Sequence, residues 1–216
     1  TLLSGGSMGV GDPFASDLDC AGLDFVQMTP SLLELKRDVV RRAEHTRLLV
    51  GGEALDRRLL TAALSRFAEV VNVYGPTETT IWSTSKIYRK GDDGARITIG
   101  RALPGETAQV LGRGMRPLPV GAVGELYLSG SGIAHGYVGD RELTETRFVS
   151  GPDGQRLYRT GDLVRWLETG ELQYLGRVDA QVKLRGHRLD LGEIESALTT
   201  FPGVRHGIAR VVGTQR

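Results

Sequence analysis

The sequence predicts an α/β fold in which parallel βαβ units come first, a β-barrel-like subdomain follows, and a small α+β subdomain begins near the carboxyl end. Up to about residue 90, apolar strand-like runs alternate with segments of helical periodicity. Short alternating strands separated by Pro and Gly follow, and strand and helix patterns mix again from Arg177 onward. We therefore expect three regions, at 1–95, 96–176 and 177–216, of which the last is incomplete.

The first region is predicted to alternate between strand and helix. Ser31 is a plausible N-cap for the first helix, and Gly51-Gly52 ends the second strand. A strand, helix and strand in this order implies parallel strands joined by a crossover helix, with ligands beyond their carboxyl ends. The predicted elements are a strand over 24–28, a helix over 32–43, a strand over 47–50, a helix over 54–67 and a strand over 69–73.

The second and third regions are predicted from short runs bounded by glycine and proline. Predicted strands cover 97–99, 108–111, 124–129, 157–166, 181–184 and 208–212. Helices are predicted over 140–148 and 194–198, and turns at 160–162 and 185–187. The 30 glycines are about twice the number expected from an average usage of ~7%, in agreement with a backbone that turns tightly and often.

The composition excludes several classes of partner and site. With 27 basic and 26 acidic side chains and a formal net charge of +1, nothing points to nucleic acid or to an anionic membrane surface. The single Cys20 excludes an internal disulfide, and no apolar run approaches the ~18 residues of a membrane span. We therefore expect a cytoplasmic protein. The histidines lie far apart without metal-ligand spacing, so a zinc site is not indicated.

The stretch from residue 72 to 80, Asn-Val-Tyr-Gly-Pro-Thr-Glu-Thr-Thr, follows an apolar strand and carries the first chemical signal. Tyr74 offers a flat π-face for a ring, and Glu78 is a hard oxygen ligand of the kind that Mg²⁺ takes in nucleotide sites. Gly51-Gly52-Glu53 ends the neighbouring predicted strand, so both loops should face one crevice. Taken alone, each residue also fits a plainer interpretation, as a packed tyrosine or a solvated loop glutamate.

A second signal is Asp162, a short carboxylate that follows Gly161, where a ligand can approach the backbone closely. Such a carboxylate can accept hydrogen bonds from both hydroxyls of a ribose, and an Asx turn is the equally good local alternative. A basic run at Lys183, Arg185 and Arg188 fits either a phosphate or carrier contact or a solvated strand face.

Four motifs occur together and in order along the chain. They are residues 72–78; 124–130 with Gly132 and 135–137; 158–163; and 176–195. With these motifs the chain resembles the adenylation domains of nonribosomal peptide synthetases, which belong to the adenylate-forming superfamily together with acyl-CoA ligases and luciferases. The resemblance extends from about Leu2 to the carboxyl end. It implies that the three regions are the second half of the α/β core of the large subdomain, a β-rich subdomain with the ribose-binding loop, and the hinge with the start of the C-terminal subdomain.

The resemblance implies an ATP-dependent reaction in two steps. An amino acid carboxylate attacks the α-phosphate and releases pyrophosphate, and the aminoacyl group then passes to the phosphopantetheine thiol of a peptidyl carrier domain. The implied cofactors are ATP and Mg²⁺, and an MbtH-like accessory protein is a further candidate partner.

Matched residue by residue, the resemblance implies that Tyr74 stacks on adenine, Asn72 meets its amino edge and Asp162 holds the ribose hydroxyls. Glu78 would bind Mg²⁺, and Asp179 would be the hinge about which the C-terminal subdomain rotates. The full set implied to bind the nucleotide is Gly52, Glu53, Asn72, Tyr74, Thr77, Asp162, Tyr174 and Arg177.

The amino acid pocket is implied at the strand ends of the first region. Its matching residues are Gln27, Leu49, Gly51, Val73, Ile81 and Trp82. All but Gln27 are apolar, and Trp82 is large. We therefore expect a substrate side chain with a mainly apolar or planar surface and one polar contact at Gln27.

Several functional parts of the family match nothing in the chain. The phosphate loop and the aspartate that fixes the substrate amino group would precede residue 1, and the transition-state lysine would follow residue 216. No catalytic residue is therefore assigned, and we expect the chain alone not to form adenylates, because little else would stabilise the charge developing on the α-phosphate. An acyl- or aryl-CoA ligase is one alternative, although those enzymes usually carry Pro-x-Glu in place of Leu191-Gly192-Glu193. A non-catalytic docking module is the other.

Overall fold

The computed structural model describes residues 6–11, 20, 22–36, 43–92, 94–179, 181–184 and 187–212. The strands of these residues form two five-stranded sheets and one two-stranded hairpin. The predicted α/β fold, with parallel strands first and a β-rich part after them, is confirmed. Within the described residues, no helix has the length and apolar character needed to cross a membrane.

The first sheet contains its strands in chain order, with the first three parallel and the last two antiparallel. The strands are β1 (Phe25–Met28), β2 (Ala43–Gly51), β3 (Phe67–Tyr74), β4 (Thr84–Arg89) and β5 (Arg101–Ala102). The helices of this part are α1 (Pro30–Lys36) and α2 (Arg57–Leu64). Because β2 and β3 are parallel, α2 lies in the crossover between them, and the loops after both strands emerge at the same edge of the sheet.

Helix α2 is fixed at its start and along one face. The Asp56 carboxylate caps it, with Oδ1 accepting a hydrogen bond from the Leu59 amide at 2.7 Å. The apolar face packs into one cluster with the parallel strands. Buried members of this cluster include Leu48, Val50, Leu59, Leu60, Ala63, Leu64, Phe67 and Val70. Each fully buried aliphatic side chain contributes about 1.5–3 kcal/mol, so this packing holds the carboxyl ends of β2 and β3 in place.

The second sheet is antiparallel throughout. Its strands are β6 (Glu106–Leu111), β7 (Gly124–Gly130), β8 (Phe148–Ser150), β9 (Arg156–Trp166) and β10 (Leu172–Arg177). They lie in the order β10-β9-β7-β6, with β8 paired to β9. Helix α3 (Arg141–Arg147) precedes β8. Tyr74, at the end of β3, packs in the apolar cluster of this second sheet with Val110, Leu126 and Leu172, so the two sheets meet at that side chain.

The last described part is a hairpin followed by a helix. Its elements are β11 (Gln181–Leu184), β12 (His187–Asp190) and α4 (Leu191–Thr199). Gln181 pairs with Asp190 across the hairpin. Asp190 also caps α4, because its Oδ1 accepts a hydrogen bond from the Gly192 amide at 2.9 Å. One side chain thus ends the strand and begins the helix.

The first helix differs from its predicted bounds. It begins at Pro30, earlier than predicted, and Ala43, its predicted end, belongs to β2. Residues 37–42 lie outside the described residues. Ser31 is not the N-cap, because the Thr29 hydroxyl accepts a backbone amide of the first turn at 3.2 Å. Pro30 suits the first helical position, where its missing N–H would have had no partner in the helix.

The predicted strand over 97–99 is wrong. Side chains occupy the backbone groups that a strand would use, since the Thr98 amide donates to the Tyr88 hydroxyl at 2.8 Å and the Thr98 carbonyl accepts from Asn72 at 2.7 Å. Gly100 alone forms an isolated bridge with Leu172.

Other differences concern the later elements. Residues 208–212 form no strand, and the Ala209 amide donates to a Glu195 carboxylate oxygen at 3.0 Å instead of to a neighbouring strand. The 160–162 turn is a bulge within the continuous strand β9, where Gly161 has a φ of 77°. His187, predicted in a turn, begins β12, and residues 185 and 186 lie outside the described residues. The helix predicted over 54–67 is confined to α2 because Asp56 caps it and Phe67 already belongs to β3.

Candidate functional site

The carboxyl ends of β2 and β3 lie side by side, because Gly51 pairs with Val73 in the parallel register. The chain leaves β2 through Gly52, which has a φ of 88°, and leaves β3 through Gly75. It then forms a short 3-10 helix (Thr77–Thr79) and returns as the antiparallel strand β4. Both loops that carry predicted site residues therefore open at one edge of the first sheet, as the βαβ pattern predicts.

The turn after β3 is strained. Thr80 and Ile81 have φ values of 56° and 71°, in a region that β-branched residues rarely adopt. Gly75 makes room for this turn, since an added Cβ would lie 2.4 Å from the Ile81 carbonyl oxygen. The Ser83 amide closes the loop by donating to the Tyr74 carbonyl at 2.8 Å. Such backbone strain costs on the order of 1–3 kcal/mol per residue and clusters at functional sites.

Tyr74 connects the first sheet to the second through Asp162. Its hydroxyl donates a hydrogen bond to Asp162 Oδ2, and the two residues are 7% and 4% exposed. Burial, and then the negative charge of Asp162, raises the pKa of the Tyr74 hydroxyl well above its ordinary value. The phenol therefore stays protonated and remains a donor.

Arg177 holds the other oxygen of Asp162. Its Nη1 donates to Asp162 Oδ1 at 2.6 Å, while its Nε and Nη2 donate to Asp179 Oδ1 and Oδ2 at 2.6 and 2.9 Å. Burial acts to raise the pKa of Asp179, but the hydrogen bonds and the positive charge of Arg177 outweigh it, and the pKa lies below its usual value. Arg147, the last residue of α3, places Nη2 3.5 Å from Asp179 Oδ2. One guanidinium thus bridges the predicted ribose carboxylate and the predicted hinge.

The bulge at Gly161 lets these groups approach one another. Besides the positive φ, a Cβ added there would lie 2.8 Å from Arg177 Nη2 and 3.1 Å from Asp179 Oδ2. The Asp162 amide donates to the Thr160 hydroxyl at 3.0 Å, which orients the start of the carboxylate side chain. The position therefore requires glycine both for its backbone conformation and for space.

Tyr174 lies on β10 beside this network. Its ring centroid is 6.5 Å from that of Tyr74, and the two ring planes are inclined at 40°. Burial, and then the negative charge of Asp162, raises the pKa of Tyr174 to about 12. The structure thus brings together Tyr74, Asp162, Tyr174 and Arg177, all predicted to bind the nucleotide.

Glu78, the predicted Mg²⁺ ligand, is held by the segment after β7. The Tyr137 hydroxyl donates to Glu78 Oε1 at 2.6 Å, and the Glu78 carbonyl accepts from the Ala134 amide at 2.8 Å. The Thr80 hydroxyl adds a hydrogen bond to the Gly132 carbonyl at 2.7 Å. Burial, and then the hydrogen bond to Glu78, raises the pKa of Tyr137, which therefore remains a donor.

The chemistry of Glu78 fits the implied metal. A fixed carboxylate is the hard oxygen ligand that Mg²⁺ takes when substrate phosphates and water supply its other positions. Over the part of the chain that the structure describes, no cluster of three or more His, Cys, Asp or Glu side chains could hold a metal ion by itself. A single carboxylate of this kind suits a cation whose other ligands come from phosphate and water.

The predicted pocket residues of β1, β2 and β3 share one face of the first sheet. Gln27 pairs with Leu49, and Gly51, the next residue on the same face of β2, pairs with Val73. The Trp82 ring lies over Gly51, where an added Cβ would be 2.6 Å from Trp82 Cη2. The strand register and the tryptophan therefore enclose one surface.

Two of the remaining predicted site residues form hydrogen bonds with partners outside the Asp162 network and the contacts of Glu78. Asn72 is buried, and its Nδ2 donates to the Thr98 carbonyl at 2.7 Å. Glu53 contacts α1, with Oε2 accepting a hydrogen bond from the Ser31 amide at 3.1 Å. Thr77 and Ile81 have exposed side chains, as does Gln27 of the pocket face. The roles of these residues stay predictions.

Three residues of the site had no role in the sequence-based prediction. Tyr137 and Thr160 lie at or within the four motifs, and that position was the signal that could have identified them. Arg147 carries no such signal, because its contact with Asp179 joins residues 32 positions apart.

Residues 1–138 match the family model of AMP-binding enzymes. The chain belongs to the AMP-binding enzyme family. A linear gramicidin synthase of Brevibacillus parabrevis is 50% identical over 162 residues, which cover 74% of this chain and 2% of that protein. A dimodular nonribosomal peptide synthase of Bacillus subtilis is 43% identical over 186 residues, which cover 84% of this chain and 8% of that protein.

Solved structures of nonribosomal peptide synthetase proteins share the fold. An NRPS protein containing adenylation and PCP domains has a TM-score of 0.76 at 33% identity, over 89% of this chain and 43% of its own. A four-domain nonribosomal peptide synthetase bound to AMP and glycine has a TM-score of 0.68 at 36% identity, over 90% of this chain and 15% of its own. The chain thus spans less than half the length of each protein named here. Its resemblance to nonribosomal peptide synthetase adenylation domains is confirmed.

Proposed function

We propose that this chain is the part of an adenylation domain that holds ATP and an amino acid during ATP-dependent amino acid activation. The aminoacyl group would then pass to the phosphopantetheine thiol of a carrier domain. The observation that carries the proposal is the buried network in which Asp162 accepts hydrogen bonds from Tyr74 and Arg177. Membership of the AMP-binding enzyme family supports the ligase class of this chemistry.

In this proposal Asp162 receives the ribose hydroxyls. Both of its oxygens already accept a hydrogen bond, Oδ1 from Arg177 and Oδ2 from Tyr74. A carboxylate offers about four acceptor sites, and in the proposed complex the ribose hydroxyls would donate to these same two oxygens. The burial of Tyr74 favours a role in orienting Asp162, and the half-buried Tyr174 offers the more open ring to the base. AMP in the four-domain synthetase named above supports the same ligand class for this chain.

Glu78 would hold Mg²⁺, which when bound neutralises part of the phosphate charge. The contacts of the strained turn with Tyr137, Ala134 and Gly132 fix the backbone and one carboxylate oxygen of Glu78. A carboxylate fixed in advance loses less side-chain entropy when it binds the cation. These contacts support Glu78 as the metal ligand.

The amino acid would lie against the face formed by Gln27, Leu49, Gly51, Val73 and Trp82. Gly51 leaves room for the Trp82 ring, so the pocket offers an indole surface beside aliphatic side chains. Gln27 is exposed at its edge and supplies a polar contact. This surface favours a substrate with an apolar or planar side chain.

The proposed partners follow from the proposal that this chain is part of an adenylation domain. The NRPS protein that contains adenylation and PCP domains supports a carrier domain as the acceptor, in preference to CoA. Asp179, bridged to Asp162 by Arg177, is proposed as the hinge. An MbtH-like partner and a cytoplasmic location remain predictions from the sequence, as does the inability of the isolated chain to form adenylates.

Calorimetric titration of AMP into the purified chain tests the proposal. Wild type should bind AMP, and Asp162→Asn should bind about tenfold more weakly, because an amide loses the charge that strengthens bonds from hydroxyl donors. Asp140→Asn is the matched control, since this exposed aspartate caps α3 and asparagine caps equally well. A folded wild type that binds no AMP, or an Asp162→Asn variant with wild-type affinity, would contradict the proposal.

A further inference from the structure

We propose that Gln181 is a positioning residue that ties Arg177, and through it the Asp162 carboxylate, to the first turn of α4. The inference rests on the proposed function, because Arg177 has a task in binding only if Asp162 serves a ribose. In this proposal the β11–β12 hairpin, which follows the proposed hinge Asp179, helps to arrange the nucleotide site.

The side-chain amide of Gln181 contacts Arg177 through its oxygen and Asp190 through its nitrogen. Arg177 Nη2 donates to Gln181 Oε1 at 2.8 Å, and Gln181 Nε2 donates to Asp190 Oδ2 at 3.0 Å. The Gln181 backbone amide also donates to Asp179 Oδ1 at 3.3 Å. Because Gln181 and Asp190 are directly paired across the hairpin, the strand register holds these groups within reach.

The contacts form one continuous chain from the buried carboxylate to the helix. Asp162 is bonded to Arg177, Arg177 to Gln181, and Gln181 to Asp190. Asp190 ends the chain by accepting the Gly192 amide at the start of α4. A movement of the hairpin would therefore change the hydrogen bonds available to Arg177, and Arg177 supplies a donor to Asp162.

The chemistry of this position suits a neutral amide. A guanidinium only donates hydrogen bonds and an ionised carboxylate only accepts them, so a residue between Arg177 and Asp190 must accept from one and donate to the other. Glutamine does both without adding a charge. Glutamate would keep the bond from Arg177 but would set two carboxylates against each other where the amide now lies 3.0 Å from Asp190 Oδ2.

A single and a double substitution distinguish the relay, meaning the hydrogen-bonded chain from Asp162 through Arg177 and Gln181 to Asp190, from simple packing. In Gln181→Glu the bond to Asp190 is lost and replaced by repulsion. In the double variant Gln181→Glu/Asp190→Asn, the asparagine amide can donate to the new carboxylate while its oxygen still accepts the Gly192 amide. Gln173→Glu is the matched control, because Gln173 also accepts from an arginine, Arg165 Nε at 2.9 Å, and lies on β10 outside the relay.

Two measurements at neutral pH on the purified chain test the relay: hydrogen exchange of the β12 amides and AMP affinity. Gln181→Glu should speed exchange about tenfold, the scale expected for one lost hydrogen bond to a charged group. In the double variant the exchange rate should return to within about threefold of the wild-type rate, and in Gln173→Glu it should equal the wild-type rate. AMP affinity should follow the same order.

The outcomes separate the relay from the proposed function. If the double variant exchanges as fast as Gln181→Glu alone, or if Gln181→Glu exchanges like wild type, the relay is refuted. If exchange follows the expected order but AMP affinity is unchanged across the set, Gln181 is structural and the positioning role is refuted. If wild type binds no AMP, the proposed function fails, and the positioning role fails with it even where the exchange order holds.

Discussion

Replacing Gly161 by alanine tests whether the bulge in β9 provides the space that the Arg177 guanidinium occupies. Gly161 has a φ of 77°, and an added Cβ would lie 2.8 Å from Arg177 Nη2. Gly154 offers a matched comparison, because its φ is 72° and an added Cβ would meet nothing within 4 Å. Alanine at either position pays for a left-handed backbone, but only alanine at 161 must displace a charged group.

The expected magnitudes differ between the two variants. A non-glycine residue in the left-handed region costs about 1–2 kcal/mol, which is the whole cost expected for Gly154→Ala. Displacing Arg177 puts at risk a hydrogen bond to a charged group, which contributes about 1.5–3 kcal/mol. Gly161→Ala should therefore lower the free energy of unfolding by roughly 2.5–5 kcal/mol in total.

Equilibrium unfolding in urea measures this difference. The two variants and wild type should unfold with similar m-values, so that a change in midpoint reports a change in stability. Of the two variants, only Gly161→Ala should bind AMP more weakly than wild type does. Equal destabilisation of the two variants, within about 0.5 kcal/mol, would refute the claim that the space beside Gly161 is reserved for Arg177.

Two further predictions concern the pocket and the response to pH. In a longer protein that includes this chain, pyrophosphate exchange across a panel of amino acids should favour apolar or planar side chains, and a clear preference for lysine or glutamate would contradict the surface formed with Trp82. Because the pKa of Tyr174 is raised to about 12 from an ordinary value of 10.0, the unfolded chain loses this proton first as pH rises. Urea unfolding should therefore show a steeper loss of stability between about pH 10 and 12 for wild type than for Tyr174→Phe, and parallel slopes would contradict it.

The parallel part of the fold could be predicted because its signals are local. The helical periodicity of α2 and the two glycines at the end of β2 are visible in short windows of sequence, and they are enough to place both loops at one sheet edge. Strand β4 was not predicted, because Thr-Ser-Lys-Ile-Tyr-Arg mixes polar and apolar residues and its pairing with β3 is what makes it a strand.

Which residues form the site could be predicted only in part, because the motifs are local signals and do not show how distant residues pair. Motifs indicated that Tyr74, Asp162 and Arg177 belong to one site, but not that the phenol is buried with its hydroxyl on the carboxylate. The strand predicted at Thr98 is wrong because two side chains from elsewhere, the Tyr88 hydroxyl and the Asn72 amide, form the hydrogen bonds of its backbone. Competition between distant polar groups leaves no periodic pattern in the sequence.

The hydrogen bond from Tyr74 to Asp162 has a consequence for exchanging parts between related enzymes. The proposed pocket residues all lie between Gln27 and Trp82, on or next to the first sheet, whereas Asp162 and Arg177 belong to the second. The residues proposed to select the substrate would thus lie in one stretch of the chain, and the carboxylate and guanidinium proposed to serve the ribose would lie in a later one. A graft that replaced the first stretch would need to keep the one tyrosine whose hydroxyl reaches the second.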